Sequence, residues 1–359
     1  MEATLFTPLQ LREVTLRNRI GVSPMCQYSS SDGFANDWHL VHLGSRAVGG
    51  AALVMTEAAA VLAEGRISPQ DLGIWKDEQI EMLARIFQFI SAQGAVPGMQ
   101  LAHAGRKAST APPWEGGDAV SEADGGWRPI FAPSALPFSA DDIVPEELDH
   151  NGIQRVVAAF AAAAGRALKA GAQIVEIHAA HGYLIHGFLS PLSNQRTDQY
   201  GGSFENRTRV AREIVQAVRR VWPERYPLLV RISATDWVEG GWDIDQSVAL
   251  AAELKALGVD MIDCSSGGAV PGARIPLAPG YQVPFAERIR HEAEIPTAAV
   301  GMITVPDQAE EILESEKADM IFMAREFLRD PYWPILAAVE LGGDCPPPVQ
   351  YGRAFLSTS

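Results

Sequence analysis

A short stretch of polar side chains follows the apolar run 174–177 and has the composition of a catalytic site. It contains His178, His181 and Tyr183, separated by three and then two positions. Imidazoles can donate or accept hydrogen bonds, and a phenol can give up a proton. Because buried strands seldom end in such a group unless the strand end is a site, we expect a carbonyl substrate to be held and protonated here.

Two other interpretations of this cluster stay open at the level of the residues. His178 and His181 could bind a metal ion, although no further histidine or carboxylate with the usual ligand spacing lies nearby in the sequence. Each histidine could also be structural, which fits either one alone better than the pair beside Tyr183. His186 is expected to support the cluster from behind.

Other polar side chains are expected at the ends of predicted strands. Arg231 lies in an apolar run, where it could pair with a buried carboxylate such as Glu57 or Glu176, or face a site at which negative charge develops. In a reduced flavin that charge lies at N1/O2. Gly301 and the pair 324–325 follow the last two predicted strands, where barrels often bind phosphate.

The cysteines have neither the spacing of a metal site nor that of a disulfide framework. Cys26, Cys264 and Cys345 are scattered, and the sequence has no CxxC motif. Cys26 follows a predicted strand, where its thiol could pack as a small apolar side chain or contact a redox cofactor and tune its potential. Cys264 and Cys345 are expected to be buried and inert.

The elements that must position these side chains alternate between strand and helix. Apolar runs without polar alternation predict parallel strands that are covered by helices. These runs begin near residues 20, 51, 96, 174, 228, 259, 297 and 320. Eight such units over about 300 residues predict an α/β fold, a (β/α)8 TIM barrel, with its chemistry at the carboxyl ends of the strands. A doubly wound open sheet is the alternative, and the lack of a GxGxxG motif after the first strand disfavours it.

Two segments are expected to extend the barrel. Residues 4–17 predict a small N-terminal hairpin. Residues 108–148, after the third strand, are rich in Pro, Gly, Asp and Trp. A connection of this length inside a compact domain usually forms a functional flap or lid. We therefore expect a single domain over residues 1–359 that includes a flap at 108–148.

Composition argues against several classes of partner. The formal net charge is −15 and no run of Lys and Arg is present, which argues against nucleic acid and an anionic membrane. The start lacks the regions of a signal peptide, and no apolar stretch reaches the ~20 residues that span a bilayer. A cytoplasmic location is expected.

Taken together, the motifs resemble the Old Yellow Enzyme family from about residue 5 to residue 353. The matching motifs are SPMCQY at 23–28, QLAHAGRK at 100–107, HAAHGYL at 178–184, SNQRTDQYGGS at 193–203, VGMI at 300–303 and AREFLRDP at 324–331. Cys26, Tyr28 and the tail PVQYGR at 348–353 resemble the bacterial thermophilic-like branch, which includes xenobiotic reductases.

The resemblance implies a TIM barrel that binds FMN without a covalent link and takes hydride from NADPH or NADH. The flavin N5 would transfer this hydride to the β-carbon of an enone, enal, maleimide or nitroalkene, as in an NADPH dehydrogenase or ene-reductase. By matching position, His178 and His181 would bind the carbonyl or nitro oxygen of the α,β-unsaturated substrate. Tyr183 would protonate the α-carbon from the opposite face.

The other functional residues of the family carry over by position. FMN would be contacted by Ser23, Pro24, Met25, Cys26, Ala58, Gln100 and Arg231, and its phosphate by Gly301, Ala324 and Arg325. Tyr28 would line the substrate side, with Lys107 close by. Arg353 would reach into a neighbouring subunit's active site, which implies a homodimer or homotetramer with the tail 343–359 at the interface. The resemblance implies no metal ion.

The sequence departs from the family at two places. Ala324 stands where the family usually has glycine, and its Cβ changes how closely the backbone approaches a phosphate. The 108–148 segment is longer than in the shortest members and resembles the xenobiotic-reductase form, so it bears on substrate range.

Three alternatives are to be compared with this function. A dienoyl-CoA reductase would carry an iron–sulfur cluster and an additional flavin domain, and the scattered cysteines and the sequence end at Ser359 argue against both. A metal-dependent barrel lyase or hydrolase would use His178 and His181. A flavin-binding sensor or carrier would bind the cofactor without turnover.

Overall fold

Strands and helices alternate along most of the chain in the computed structural model, which describes residues 3–355. The strands are β1 (Leu9–Leu11), β2 (Val14–Leu16), β3 (Ile20–Val22), β4 (Leu53–Ala60), β5 (Val96–Ala102), β6 (Phe131–Ala132), β7 (Glu146–Glu147), β8 (Ile174–Ala179), β9 (Leu228–Ser233), β10 (Met261–Ser265), β11 (Thr297–Ala299) and β12 (Met320–Met323). The predicted domain 1–359 includes residues 1–2 and 356–359, which lie outside the described residues, and its extent stays a prediction.

The helices lie mainly between the strands. They are α1 (Asp37–Val48), α2 (Ile80–Ala92), α3 (His150–Ala170), α4 (Leu184–Leu189), α5 (Phe204–Val221), α6 (Ile244–Ala256), α7 (Val283–Glu292), α8 (Pro306–Glu314), α9 (Arg325–Arg329) and α10 (Trp333–Leu341). Short 3₁₀ turns lie at Thr4–Phe6, Ala63–Gly65, Asp77–Gln79, Gly105–Lys107, Pro113–Glu115, Glu122–Asp124 and Val349–Ala354. Between residues 3 and 355, no helix is long and apolar enough to cross a membrane.

Parallel pairing closes the central strands into a barrel. Within residues 3–355, the order is β3, β4, β5, β8, β9, β10, β11 and β12, and β12 pairs back to β3. The predicted TIM barrel is therefore confirmed. The predicted hairpin is also confirmed, because β1 and β2 pair antiparallel. Leu11 and Leu16 of the hairpin join an apolar cluster with Leu53, Ile174 and Met261, which lie at strand starts, so the hairpin closes the amino-terminal end of the barrel.

Side-chain capping sets several helix boundaries. The Asp149 carboxylate accepts a hydrogen bond from the Gly152 N–H at 2.7 Å, and α3 begins at the next residue. Asp243 caps α6 in the same way, since its carboxylate accepts from the Gln246 N–H at 2.9 Å.

Strand β8 is two residues longer than the predicted run 174–177 and therefore includes His178. Side chains alternate along a strand, so Glu176 and His178 point to the same side as Ile174. Ile174 belongs to the cluster inside the barrel, whereas Val175 and Ile177 pack in the cluster under the helices. Glu176 and His178 therefore point into the barrel, above an apolar floor.

The predicted flap, residues 108–148, lies after β5 and carries two 3₁₀ turns and the short pair β6–β7. It is anchored at Ile130, which packs with Ala104, Ala108 and Tyr183. The Trp114 ring contacts the Tyr28 ring edge-on, with 5.4 Å between the ring centroids. The flap thus reaches the residues that follow β3.

Candidate active site

The three aromatic side chains of the predicted cluster lie together at the carboxyl end of β8. The ring centroid of His178 lies 5.1 Å from that of His181 and 5.0 Å from that of Tyr183. His178 is on the strand, while His181 and Tyr183 are on the turn before α4. His181 adopts a φ of +60°, and this left-handed conformation turns the chain back so that its ring faces His178.

Hydrogen bonding and burial define the protonation state of His178. Its Nδ1 accepts a hydrogen bond from the Ala180 N–H at 3.3 Å, so the proton of the neutral ring resides on Nε2. Burial and then the positive charge of Arg231 lower the pKa of His178 well below its usual value. His178 is therefore a neutral hydrogen-bond donor at pH 7.

His181 is held by a serine that the sequence analysis missed. Its Nε2 lies 2.7 Å from Oγ of Ser265, the last residue of β10. Burial and Arg231 also lower the pKa of His181, so this ring is neutral as well. Ser265 lies at the carboxyl end of a buried strand, and this positional signal could have identified it.

Tyr183 is an acid that keeps its proton until a strong base is present. Burial raises its pKa well above the usual value, and the neighbouring Cys26, Tyr28 and Asp71 contribute in the same direction. A phenol in such surroundings transfers its proton only to a strongly basic atom, such as an enolate carbon.

Lys107 fixes the position of the turn that carries His181. Its ammonium donates to the carbonyl oxygens of His181 at 2.8 Å and of Gly268 at 3.0 Å. Burial lowers the pKa of Lys107 to about 8. The ammonium also lies 5.5 Å from the centroid of the Tyr183 ring. Lys107 therefore ties the β8 turn to the loop after β10.

A cavity of about 200 Å3, the outer cavity, lies between this turn and the flap. Tyr28, Lys107 and Tyr183 line it from the barrel side, and Phe138 and Asp142 line it from the flap. The predicted substrate-side residues Tyr28 and Lys107 thus lie in the same cavity as Tyr183.

Below the histidines, four side chains form a buried polar layer: Gln100, Glu176, Arg231 and Asp263. The Gln100 Nε2 donates to Oε1 of Glu176 at 2.7 Å. The Arg231 Nη1 donates to Oγ of Ser23 at 2.9 Å. Burial, and then Asp263, raise the pKa of Glu176 to about 8. Glu176 is therefore protonated at pH 7, which leaves the guanidinium to balance Asp263.

Arg231 pairs with a buried carboxylate, as one interpretation predicted, but its partner is neither Glu57 nor Glu176. Its Nε lies 3.2 Å from Oδ2 of Asp263, whereas Glu57 pairs with His39 at 3.1 Å. Asp263 was missed although the sequence carries a signal, a single carboxylate inside the apolar run 259–264. Arg231 thus has a structural partner and also faces a cavity.

That cavity, the inner cavity, has a volume of about 370 Å3 and extends from Arg231 and Ser265 to Gly301, Arg325 and Arg329. Arg329 was not predicted. The inner cavity suits an elongated ligand with a polar ring system at one end and an anion at the other.

Two small residues in the wall of the inner cavity, Gly301 and Ala324, differ in backbone conformation. Gly301 has a φ of +116°, and a Cβ there would lie 2.6 Å from Nε2 of Gln282, so glycine is required. Ala324 has a φ of −110°, which lies outside the left-handed region that favours glycine, so φ does not require glycine at this position.

The remaining predicted residues lie around these cavities or away from them. Pro24 and Met25 are half-buried after β3, and Ala58 is buried in β4. Arg353 is exposed and lines a separate groove beside α10. Within the described part of the chain, no third histidine, cysteine or carboxylate comes close enough to His178 and His181 to complete a set of metal ligands.

His186 supports the turn after β8, as predicted, through a polar contact at each ring nitrogen. Its Nδ1 accepts a hydrogen bond from the Gly182 N–H at 2.8 Å, and its Nε2 lies 2.9 Å from Oδ1 of Asp236. Both side chains are fully buried. His186 therefore holds the turn between His181 and Tyr183 from behind.

Comparisons with known proteins agree with this arrangement. The model of the NADH:flavin oxidoreductase / NADH oxidase family matches residues 4–341. An NADPH dehydrogenase of Halalkalibacterium halodurans is 51% identical over 358 residues, covering 99% of this chain and 100% of that protein. An NADPH dehydrogenase of Bacillus subtilis is 49% identical over 357 residues, with 99% and 100% covered.

Solved structures show the same fold at lower identity. Morphinone reductase superposes with a TM-score of 0.79 at 28% identity, covering 96% of this chain and 91% of that chain. A complex of 2-naphthoyl-CoA reductase has a TM-score of 0.85 at 26% identity, covering 96% of this chain but 53% of that longer chain.

Proposed function

The chain belongs to the NADH:flavin oxidoreductase / NADH oxidase family, the Old Yellow Enzyme family of its motifs, and we propose that it reduces activated C=C bonds with FMN and NADPH. The observation that carries the proposal is the cluster of His178, His181 and Tyr183 beside two cavities of different chemistry. Relatives of about half identity that are named NADPH dehydrogenase support NADPH as the electron donor.

The inner cavity fits FMN in several respects. The Arg231 guanidinium lines this cavity and is buried, with its Nε paired to Asp263 at 3.2 Å, so it fixes a cation at the ring end. Arg325 supplies positive charge at the other end, where Gly301 leaves room for a phosphate, and Arg329 lies nearby, paired with Glu326. The proposed contacts are Ser23, Pro24, Met25, Cys26, Ala58, Gln100, Arg231, Gly301, Ala324 and Arg325, to which we add Arg329.

When bound, FMN would supply the hydride that the β-carbon of the substrate receives. The neutral rings of His178 and His181 would hold the substrate oxygen and stabilise the negative charge that develops on it. Tyr183 would give its phenolic proton to the α-carbon. Lys107 would keep the turn with His181 and Tyr183 in place, as its two bonds to backbone carbonyls support.

The substrate would occupy the outer cavity, with its oxygen toward the histidines. Enones, enals, maleimides and nitroalkenes all carry the required oxygen in conjugation with the alkene. Phe138 and Asp142 of the flap line this cavity, so the flap would set which substituents are accepted.

We also propose that the chain acts as one domain over 1–359 and assembles as a homodimer or homotetramer. Arg353 lines a groove of about 570 Å3, the tail groove, with Tyr332, Leu336, Tyr351 and Phe355. Leu336 and Tyr351 are 49% and 42% exposed, and such apolar surface favours an interface. Arg353 would then extend toward the active site of a neighbouring subunit.

The test is anaerobic stopped-flow on the purified protein, which follows the flavin absorbance. We expect a yellow protein that releases FMN on denaturation, is bleached by NADPH and regains its colour with a cyclic enone. A colourless protein with stoichiometric metal would contradict the proposal in favour of a metal-dependent lyase or hydrolase. Flavin that NADPH reduces and that no alkene reoxidises would instead indicate a sensor or carrier.

A further inference from the structure

A second group of titratable side chains lies on β4 and in the segments that follow β3 and β4. The Cys26 thiol and one carboxylate oxygen each of Glu57 and Asp71 lie within 4.8 Å of one another. Glu57 is 3% exposed and Asp71 is 2% exposed. Three such groups, buried this close together, cannot all be ionised, so part of the group retains its protons.

Hydrogen bonds distinguish the two carboxyl groups. Glu57 accepts from the Gln27 N–H at 2.9 Å, and its other carboxylate oxygen lies 3.1 Å from Nε2 of His39. Oδ2 of Asp71 accepts from the Ile67 N–H at 2.6 Å. Oδ1 of Asp71 is buried and has no hydrogen-bond partner between residues 3 and 355. Asp71 is therefore the member that can carry and release a proton.

The electrostatic surroundings agree with this division. Burial and then the negative charge of Glu57 raise the pKa of Asp71 to about 8, so Asp71 is protonated at neutral pH. The groups that face it are Glu57 from β4, Cys26 and Tyr28 from the segment after β3, Arg66 from the loop after β4, and Tyr183 from the turn after β8.

A small cavity connects Asp71 with Tyr183. Its other lining residues have no polar side chain and are Ala58, Ala60, Gly65, Ile67, Ala102 and Ala104. We call it the alanine cavity. It offers about 10 Å3 to the centre of a water molecule, which is room for about one water. Asp71 and Tyr183 are thus the two polar side chains that this water would meet.

We propose that Asp71 returns a proton to Tyr183 after each turnover, through one water in the alanine cavity. This inference rests on the proposed function, in which Tyr183 protonates the α-carbon. In that step the Tyr183 O–H bond breaks as the C–H bond forms. The water then gives a proton to the phenolate and takes the proton of Asp71 Oδ1. Asp71 finally regains a proton from bulk water, and no electrons move in the relay.

The direction of transfer follows from the same surroundings. A phenolate at Tyr183 would be buried, and burial is the largest cause that raises the pKa of Tyr183. Asp71 is the stronger acid of the two, so its proton moves toward the phenolate. Tyr183 also lines the outer cavity, and direct protonation through that cavity is the competing route.

The test compares single and multiple turnovers of Asp71→Asn and wild-type holoenzyme with NADPH and a cyclic enone. Asparagine keeps the acceptor for the Ile67 N–H but has no acidic proton. Because Tyr183 begins protonated, single-turnover reoxidation should stay within about twofold of wild type, whereas the steady-state kcat should fall roughly tenfold or more. The solvent deuterium isotope effect on the kcat of Asp71→Asn should exceed that of wild type. The kcat of wild type should decline as the pH rises through about 8.

Two further variants and a spectrum control this test. Ala102→Val fills the alanine cavity with Asp71 intact and should reproduce the loss of kcat, whereas Asp77→Asn, on the surface, should have no effect. Infrared difference spectra of wild type against Asp71→Asn should show a protonated carboxyl band that titrates near pH 8, because the band of Glu176 in the same range is present in both proteins and cancels.

Some outcomes would overturn the relay. An unchanged kcat in Asp71→Asn with normal wild-type turnover would assign the proton to the outer cavity and leave the proposed function intact. An equal loss in single and multiple turnovers would mean a structural effect only. The absence of the infrared band would exclude Asp71 as the acid, and a wild-type protein without enone turnover would remove both the relay and the proposed function.

Discussion

At the scale of single residues, the orientation of His181 depends on Ser265. The hydroxyl of Ser265 lies 2.7 Å from Nε2 of His181, across two different strand ends. For His181 to donate to a substrate oxygen, its Nε2 must accept from the Ser265 hydroxyl, so that Nδ1 carries the proton. The capacity of His181 to donate to a substrate oxygen therefore depends on a residue far away in the sequence.

Ser265→Ala should weaken substrate binding without changing the reduction by NADPH. A hydrogen bond of this kind contributes about 1 kcal/mol net, so the KM for a cyclic enone should rise roughly fivefold. Steady-state kinetics with varied enone would measure this change. Ser266→Ala is the matched control, since both hydroxyls lie within hydrogen-bond distance of Oε1 of Gln282, at 2.6 Å for Ser266 and 3.5 Å for Ser265, whereas the contact with His181 is made by Ser265. Equal effects of both variants would rule out the assigned role of Ser265.

Some site residues could be predicted from the sequence because they lie close to one another along the chain. His178, His181 and Tyr183 follow one strand within six positions, so their proximity is local. The pairs Arg231–Asp263 and His181–Ser265 arise from the parallel register of β9 with β10 and from the turn after β8. Sequence patterns predict the strands but not this register, so Asp263 and Ser265 were missed.

At the scale of elements, β5, β8, β9 and β10 place a polar layer between an apolar floor and the histidines. Glu176 is the carboxyl group of this layer whose pKa is raised most. Its pKa of about 8 in the folded protein exceeds the ordinary value of 4.5. The folded state therefore binds this proton more tightly than the unfolded state. This contribution to stability is complete below about pH 4.5 and is lost as the pH rises toward 8.

Glu176→Gln should reduce the pH dependence of the free energy of unfolding. Glutamine keeps the acceptor for the Gln100 amide and cannot ionise, so the variant should lose less stability than wild type between about pH 5 and about pH 8. Urea denaturation at both pH values would measure the difference. Asp71 contributes a decline in the same direction and stays in the variant, so a residual slope is expected. Parallel profiles of wild type and variant would contradict the assignment.

At the scale of the whole molecule, the apolar surface near the tail indicates an assembly. Besides Leu336 in the tail groove, Val339 and Val349 are 70% and 92% exposed. An isolated exposed apolar residue is ordinary, but several near one groove favour contact with another subunit.

Sedimentation velocity should give a mass of two or four chains. Leu336→Asp would bury a carboxylate in the proposed interface and should shift the protein toward monomer. The matched control is Leu277→Asp, because Leu277 is 66% exposed and does not line the tail groove. A monomeric wild-type protein, or the same mass distribution for both variants, would contradict the interface.

The barrel could be predicted because its strands are buried on both faces and read as continuous apolar runs between helices. The existence of the flap could be predicted from its length and composition. Its contact between Trp114 and Tyr28 could not, since it joins an irregular segment to a residue on another strand end.

The central claim is that Tyr183 protonates the substrate of an FMN-dependent alkene reductase. Anaerobic stopped-flow of Tyr183→Phe, with the two half-reactions measured separately, tests it most directly. Loss of a general acid costs roughly 10²- to 10⁴-fold, so reoxidation by a cyclic enone should slow by this factor while reduction by NADPH stays near the wild-type rate. Equal slowing of both half-reactions, or reoxidation at the wild-type rate, would contradict the claim.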